Sequence, residues 1–535
     1  QVVIEEAGPL RAVIAAQGWF VPVGQQAGKS RTGKYTVRIY AYRGESFLRV
    51  FHTFVVTTPT KTLRYQNIAL ESHLTRAGRA LFGIAGAPPV SASGSHAYLV
   101  QESHERLRVA EVRDGREAEL AIARQSAGWV QSGSVGVAVR DIWQNFPKEL
   151  EVQNQTIRVH FWPRHEVPVR HPPDVVGARD IHMLWFAHEG ALLDFSIPRE
   201  YAQFHDKDDA QTHEFYYIPS AINSQSDEAL GIAKTHEMVW SFGADVAAAR
   251  RRFAACGQDI GCLPATKWIG ESGAVGMLHP VDRDQFPDVE MALSRHFDWL
   301  QRSTRYMQDY GMWNFGDRHS RWEPAKKRVP VNRTWANHHH GNPRTYWLLY
   351  LRSGDPKYLT AARRQALHLM DVDVCHYSTP EYEAKEYPVG KISGALCDYK
   401  GLVHWHSGNR LYDYNNMSDY LFYDYYLTGY QRGVDVARET ADAVARFPRG
   451  GNSGRDGEGP LASLCFLYEA TWDARLLPQL QTYVASLLKS QTDAEHELGP
   501  GVFPGWAGYA PWLPRYIQLA RDPVAMDSLK RWCDF

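Results

Sequence analysis

Cysteine is scarce in this chain: six in 535 residues, too few for a disulfide framework to hold the fold together. Cys256 and Cys262 stand close in CGQDIGC, a spacing open to a local disulfide or to two free thiols. No second Cys/His pair lies near them, which argues against a zinc site. Long apolar runs are missing too, and none reaches the roughly 18 residues that mark a membrane-spanning helix. There is no excess of charge of either sign: 59 Lys and Arg face 60 Asp and Glu, for a net charge of −1. That balance excludes a broadly basic nucleic-acid binder and offers no attraction to a membrane surface. The chain opens at Gln1, without Met or a leader and almost directly in strand-like sequence. It is expected to be a processed or partial chain whose start lies upstream.

Aromatic side chains are abundant, with 17 Trp and 28 Tyr. Their flat faces suit the C–H faces of sugar rings, although large cores use the same residues. The length calls for two or three domains. Up to about residue 243 the pattern is that of short strands. KYTVRIYAY (34–42) alternates strictly, FLRVFHTFVV (47–56) is β-branched and aromatic, and RGE turns between them. SVGVAVRDIW, TIRVHFWP, MLWFAHEG, HEFYYIP and AKTHEMVWSF continue the series, as in a large sandwich.

From DVAAARRRFAA (245–255) onward the apolar spacing becomes helical, and the helix of residues 290–311 is expected to stop at Gly311. A weak repeat follows: an aromatic helix, a turn, then a more amphipathic helix, with turns aligned as RSGDPKYL, LTGYQRGVDV, EATWDARLL and LARDPVAMDSL. Such repeats imply a helical array or a closed α/α toroid. Polar loops precede the aromatic helices, so their side chains would gather at one mouth, where helix N-termini favour anions. Two loops are densest: NRTWANHHHGNPRTY (332–346) and HWHSGNRLYDYNN (404–416).

With GPLRAVI (8–14), KYTVRIYAYRGESFLRVFHTF (34–54) and GIAKTHE (231–237), followed by the helical repeats, the chain resembles the exo-rhamnogalacturonan lyase and YetA-like proteins. The resemblance implies a multidomain α+β chain: N-terminal β-barrel-like and β-sandwich domains, then a C-terminal α/α toroid. Residues 1–60 would end the first β domain, with its front part missing; 61–243 would form the sandwich and 244–535 the catalytic toroid. It further implies exo-acting β-elimination on a uronic acid-containing glycan such as rhamnogalacturonan. Location outside the cytoplasm follows only from such a polymer substrate.

Elimination removes the C5 proton of a uronate and expels the oxygen at C4, so the enolate developing beside the carboxylate must be stabilised. A base takes the proton and an acid serves the leaving oxygen. His339 or His340 is the candidate base, since three consecutive histidines from His338 cannot all point one way. Tyr414 is the candidate acid or second base, and Asn337 with Arg410 would neutralise the carboxylate. Arg344, in a first helical turn, could clamp a carboxylate bidentately. Further substrate contacts are assigned to Arg318, His319, Trp322, Arg333, Asn342, His404, His406, Asn415, Asn416 and Arg455. Tyr346, Tyr350, Tyr423, Tyr425 and Tyr426 are read as packing, and Thr235–Glu237 as a reach across from the sandwich.

No cofactor is required and no metal is assigned; a divalent cation, calcium or zinc, is compatible with the sequence without being predicted. His404 and His406, one of the three consecutive histidines and Asp413 would form the competing zinc site, on no standard spacing. Two other functions compete. A hydrolase would need a carboxyl pair, from Asp317, Asp413, Asp419 or Glu458. A silent glycan-binding protein would need only aromatic platforms. The expected partner is an acidic polysaccharide, with neither nucleic acid nor membrane involved.

Overall fold

The computed structural model describes residues 1–21, 31–58, 64–76, 78–167, 193, 230–243, 245–259, 261–307, 310–313, 315–317, 342–377, 419–446, 454–489 and 512–533. Two antiparallel sheets form its N-terminal half. The larger holds nine strands in the order β1 (Val2–Ala7), β2 (Arg11–Phe20), β3 (Gly33–Tyr42), β4 (Phe47–Val56), β15 (Ala233–Phe242), β12 (Val135–Val139), β11 (Ser126–Ser132), β6 (Ala80–Ile84) and β7 (Val90–Ala92). The smaller holds six: β10 (Arg116–Ala123), β9 (Arg106–Arg113), β8 (His96–Ser103), β13 (Lys148–Gln153), β14 (Thr156–Trp162) and β5 (Ile68–His73).

The RGE hairpin forms as its alternation predicts, with Arg38 opposite Phe51. The sheet does not break at residue 60, because β4 pairs along its length with β15, Phe51 opposite Glu237. The first four strands therefore belong to the same sheet as the later ones and do not close a separate domain. β4 is buried without interruption from Val50 to Val56, His52 and Thr53 included, because both faces of this strand are covered. Val50, Phe54 and Val56 face the core between the sheets. Phe51, with Val13 and Tyr40, packs into a second core shared with the helices.

Helix α1 (Val246–Cys256) starts where the period changes, capped by Asp245, whose carboxylate accepts the Ala248 N–H at 3.0 Å. Its Phe253 lies against Trp129 of the large sheet. After α2 (Thr266–Ser272) comes α3 (Pro287–Met307). Gly311 follows the described part of α3; at φ +115° its N–H bonds the Gln144 carbonyl, and with the Met312 N–H on the Phe146 carbonyl it docks residues 310–313 on the sandwich.

Helical hairpins then follow as the repeat predicts: α4 (Asn342–Ser353) with α5 (Pro356–His368), α6 (Asp419–Thr428) with α7 (Arg432–Arg446), α8 (Gly454–Thr471) with α9 (Leu476–Lys489), and α10 (Trp512–Ala520) with α11 (Pro523–Cys533). Asp355 and Asp522 cap the second helices of the first and last pairs, each just before a proline. The first helices α4, α6, α8 and α10 pack in a row, each also against its own hairpin partner. Residues 419–424 of α6 are all buried, as an inner helix requires.

A π-helical turn, Leu369–Asp373, ends α5. Beyond it the chain runs past Gly231, whose φ of +91° and contact with Tyr377 leave no room for a Cβ. Cys256 and Cys262 are free thiols, and burial pushes Cys256 up to about 12. Among the described residues no helix is long and apolar enough to cross a membrane.

Candidate functional site

The helices are fastened to the large sheet by a chain of buried ion pairs. Arg49 (β4) meets Glu237 (β15) at 2.6 Å, and Arg140, just past β12, meets Glu237 at 3.6 Å and Asp259 at 2.6 Å. Arg363 (α5) continues it, bonding Asp259 at 2.7 Å and Asp424 (α6) at 3.1 Å. Burial opposes ionisation of Glu237 and Asp259, yet the surrounding guanidiniums hold both below the usual carboxylate range. A parallel link joins Asp371 to the Thr235 N–H and hydroxyl, both at 2.7 Å, and to Arg432 at 2.8 Å.

The motif Thr235–Glu237 thus reaches the helices as expected, but as buried structure. Its middle member, His236, faces the sandwich core against Phe161, with ring centroids 4.2 Å apart, and burial holds its imidazole well below normal.

The N-terminal ends of three first helices, α4, α6 and α10, meet at one mouth, where Arg344, Asp419 and Trp512, each in the first turn of its helix, come together. The Arg344 guanidinium lies 5.1 Å from the centre of the Trp512 ring, and its Nε stands 3.8 Å from Asp419 Oδ2. That separation is an ion pair and not a hydrogen bond. Asp419 is fully buried while Arg344 remains 30% exposed. Burial pushes the Asp419 carboxyl up, against the pull of Arg344 and the backbone N–H groups of its own helix start. No described side chain hydrogen-bonds this carboxylate. Trp347 stacks near Tyr423 behind it, and Phe466 meets Trp512 edge-on at 5.2 Å. The mouth therefore offers a partly exposed cation on an aromatic ring, at helix ends that attract negative charge.

A second concavity of about 410 Å³ lies where residues 310–317 dock, lined by Trp143, Arg305, Tyr310, Phe315, Asp317, Tyr346 and Arg364. Trp143 and Tyr310 pack at 5.1 Å, and Arg364 lies over Phe315 while bonding Asp141 at 3.3 Å. Behind Asp317 sits His368, fully buried, with Nε2 at 3.4 Å from Asp317 and 3.5 Å from Asp373. Burial works against its charge, but the two carboxylates outweigh it and lift the imidazole to about 9. His368 is thus held as a cation at neutral pH.

Of the residues singled out from the sequence, Arg344 is placed in full, at the mouth. Asn342 opens α4, and Arg455 lies in the first turn of α8, which begins at Gly454. His339, His340, Tyr414, Asn337, Arg410, His404, His406, Arg318, His319, Trp322, Arg333, Asn415 and Asn416 lie outside the described residues, as do His338 and Asp413. Tyr346, Tyr350 and Tyr423 are buried as expected, whereas Tyr426 is exposed. Trp512 was not singled out, although it occupies the same place in the last hairpin that Arg344 occupies in the first. The concavity residues were not singled out as a group, because they come from four separate stretches.

Residues 1–74, spanning β1 to β5, match the family model described as PcRGLX-like protein central beta sandwich domain. No curated protein matches the chain. A solved structure titled "Polysaccharide Lyase BACCELL_00875" is 10% identical over 99% of this chain and 72% of that one, with a TM-score of 0.28, below what a shared fold requires.

Proposed function

We propose that the chain is a polysaccharide lyase, exo-acting on a rhamnose–uronate polymer of the rhamnogalacturonan kind and yielding a 4,5-unsaturated uronate. The observation that carries the proposal is the meeting of Arg344, Asp419 and Trp512 at the N-termini of three of the four first helices, α4, α6 and α10. A uronate there would find for its carboxylate the partly exposed Arg344 cation, seated on the buried Trp512 ring. The match of residues 1–74 supports the family side of the reading.

In this reading the row of hairpins closes into an α/α toroid. Arg344 draws charge from the carboxylate, and Asn337 and Arg410 complete its neutralisation, which lowers the barrier to removing the C5 proton. His339 or His340 takes that proton and Tyr414 protonates the leaving oxygen. These residues precede α4 and α6 in sequence, bonded through short segments to the helix starts that form the mouth. Arg318, His319, Trp322, Arg333, Asn342, His404, His406, Asn415, Asn416 and Arg455 are proposed as substrate contacts. No metal is assigned a step. A polymer substrate would place the enzyme outside the cytoplasm.

The raised Asp419 carboxyl favours one alternative, a hydrolase using Asp419 as a protonated acid. Mass analysis of products separates the two. Elimination yields one new end lighter by a water, whereas hydrolysis adds a water across the bond; products of the hydrolytic mass alone would reject the lyase.

A further inference from the structure

The outer face of the six-stranded sheet carries a cluster that the proposed reaction does not use. Alternation along β13 sends Leu150 and Val152 into the core and Glu149 and Glu151 to the opposite face. On the neighbouring strand His160 stands directly opposite Glu149. Residues 163–167 then fold back over this face: the backbone N–H groups of Arg164 and His165 bond Glu149 Oε2 at 3.1 and 3.0 Å, and the His165 ring stacks on Tyr98 at 3.6 Å. Both carboxylates are fully buried as a result, and His160 nearly so.

The donor atoms converge. His160 Nε2 lies 3.1 Å from Glu151 Oε2 and 3.6 Å from Glu149 Oε1, and one atom from each of the three residues falls within 4.8 Å of the others. His165 Nδ1 stands 2.9 Å from Glu149 Oε1, and His96 Nε2 stands 2.8 Å from Glu151 Oε1. Arg158 reaches Glu151 Oε2 at 3.1 Å, but it also serves Gln153 and Glu71; Arg164 stands 3.7 Å from Glu151.

A single Nε2–H can serve only one of the two oxygens it faces. Apart from the imidazoles, the cations beside these buried carboxylates are Arg158, which Glu71 also draws on, and Arg164 at 3.7 Å, thin compensation for two buried charges. A divalent ion answers both deficits. Ligands about 2.0–2.2 Å from a zinc-type ion stand roughly 3.0–3.6 Å from one another, the spacing seen here between His160 Nε2 and each of the two carboxylates. A donor set of imidazole and carboxylate fits zinc and its first-row neighbours better than magnesium or calcium.

We propose that Glu149, Glu151 and His160, with His165 as a fourth donor and His96 orienting Glu151, form a structural binding site for a zinc-type divalent ion that pins residues 163–167 to the sheet.

The test is to strip the chain with chelator and titrate it with zinc by calorimetry and with cobalt(II) by visible absorption. Wild type should take up about one tight equivalent at this site and show the ligand-field bands of a low-symmetry cobalt centre. H160Q should lose that equivalent and those bands. H165A, at the rim, should weaken binding roughly 10–100-fold with an unchanged far-ultraviolet dichroism spectrum, which guards against a folding artefact. No uptake by folded wild type, or equal uptake and identical bands in wild type, H160Q and H165A, would overturn the assignment.

Discussion

Replacing Arg363 by Met tests the buried ion chain that holds the helices on the sheet. In wild type Arg363 bonds Asp259 at 2.7 Å and Asp424 at 3.1 Å, and it is almost wholly buried. After the substitution Asp259 keeps Arg140 at 2.6 Å, but Asp424 keeps only the Thr428 hydroxyl at 3.2 Å. Loss of one partner from a buried pair costs about 3–5 kcal/mol. A ceiling follows from proton uptake, because burial already pushes the Asp424 carboxyl up and Arg363 is what opposes it. Freed of that guanidinium, Asp424 will protonate, and protonating an ordinary carboxyl at pH 7 costs about 4 kcal/mol.

The deficit of R363M should therefore be about 4 kcal/mol at pH 7 and should shrink by about 1.4 kcal/mol per pH unit toward pH 5. The sign follows from a raised folded-state pKa, whose destabilisation grows as pH rises. Urea unfolding followed by tryptophan fluorescence at the two pH values measures both quantities, and R363M/D424L should recover much of the loss. A deficit below about 1 kcal/mol at pH 7, or one independent of pH, would refute the reasoning.

Other consequences can be checked separately. His368 is lifted to about 9 by its carboxylates, so its stabilisation is complete below about pH 6.5 and is lost as pH rises through 9. About 3 kcal/mol should disappear between pH 6 and 10 in wild type, and H368Q should show no such slope in denaturant titrations. G231A should lower the melting temperature by the equivalent of about 1–3 kcal/mol, since a Cβ at φ +91° would meet the Tyr377 carbonyl at 2.4 Å. W512A should raise KM for polymer more than it lowers kcat, because the ring that seats the Arg344 guanidinium is lost; an unchanged KM would remove Trp512 from the site.

Much of the fold could be read from local pattern, because hairpins and helix ends are decided locally. RGE between two alternating runs defined the β3–β4 hairpin, and the Asp-Pro turns marked the starts of α5 and α11. Partners distant in sequence were not legible. Nothing in FLRVFHTFVV says that it pairs with AKTHEMVWSF, and so the first strands were assigned to a domain of their own. Gly311 showed the same limit: it resembles a helix stop, but its positive φ serves a contact with Gln144, which no periodicity records. The ion chain was invisible because Arg49, Arg140, Asp259 and Arg363 look like ordinary polar positions one at a time. Glu149 and Glu151 likewise look like a solvated strand face until residues 163–167 cover them. Of the mouth, the sequence supplied Arg344 through its place in a first helical turn and Asp419 only as one of four carboxyls a hydrolase could use, while Trp512 emerges only from helix packing.

The most direct test of the proposed activity is ultraviolet absorbance of an unsaturated uronate during incubation with rhamnogalacturonan, ulvan, glucuronan and gum arabic in parallel. Absorbance should rise on one uronate polymer, undiminished by chelator, and R344A should slow that rise roughly 100-fold or more. New reducing ends without absorbance, or a rise that R344A leaves unchanged, would contradict the account.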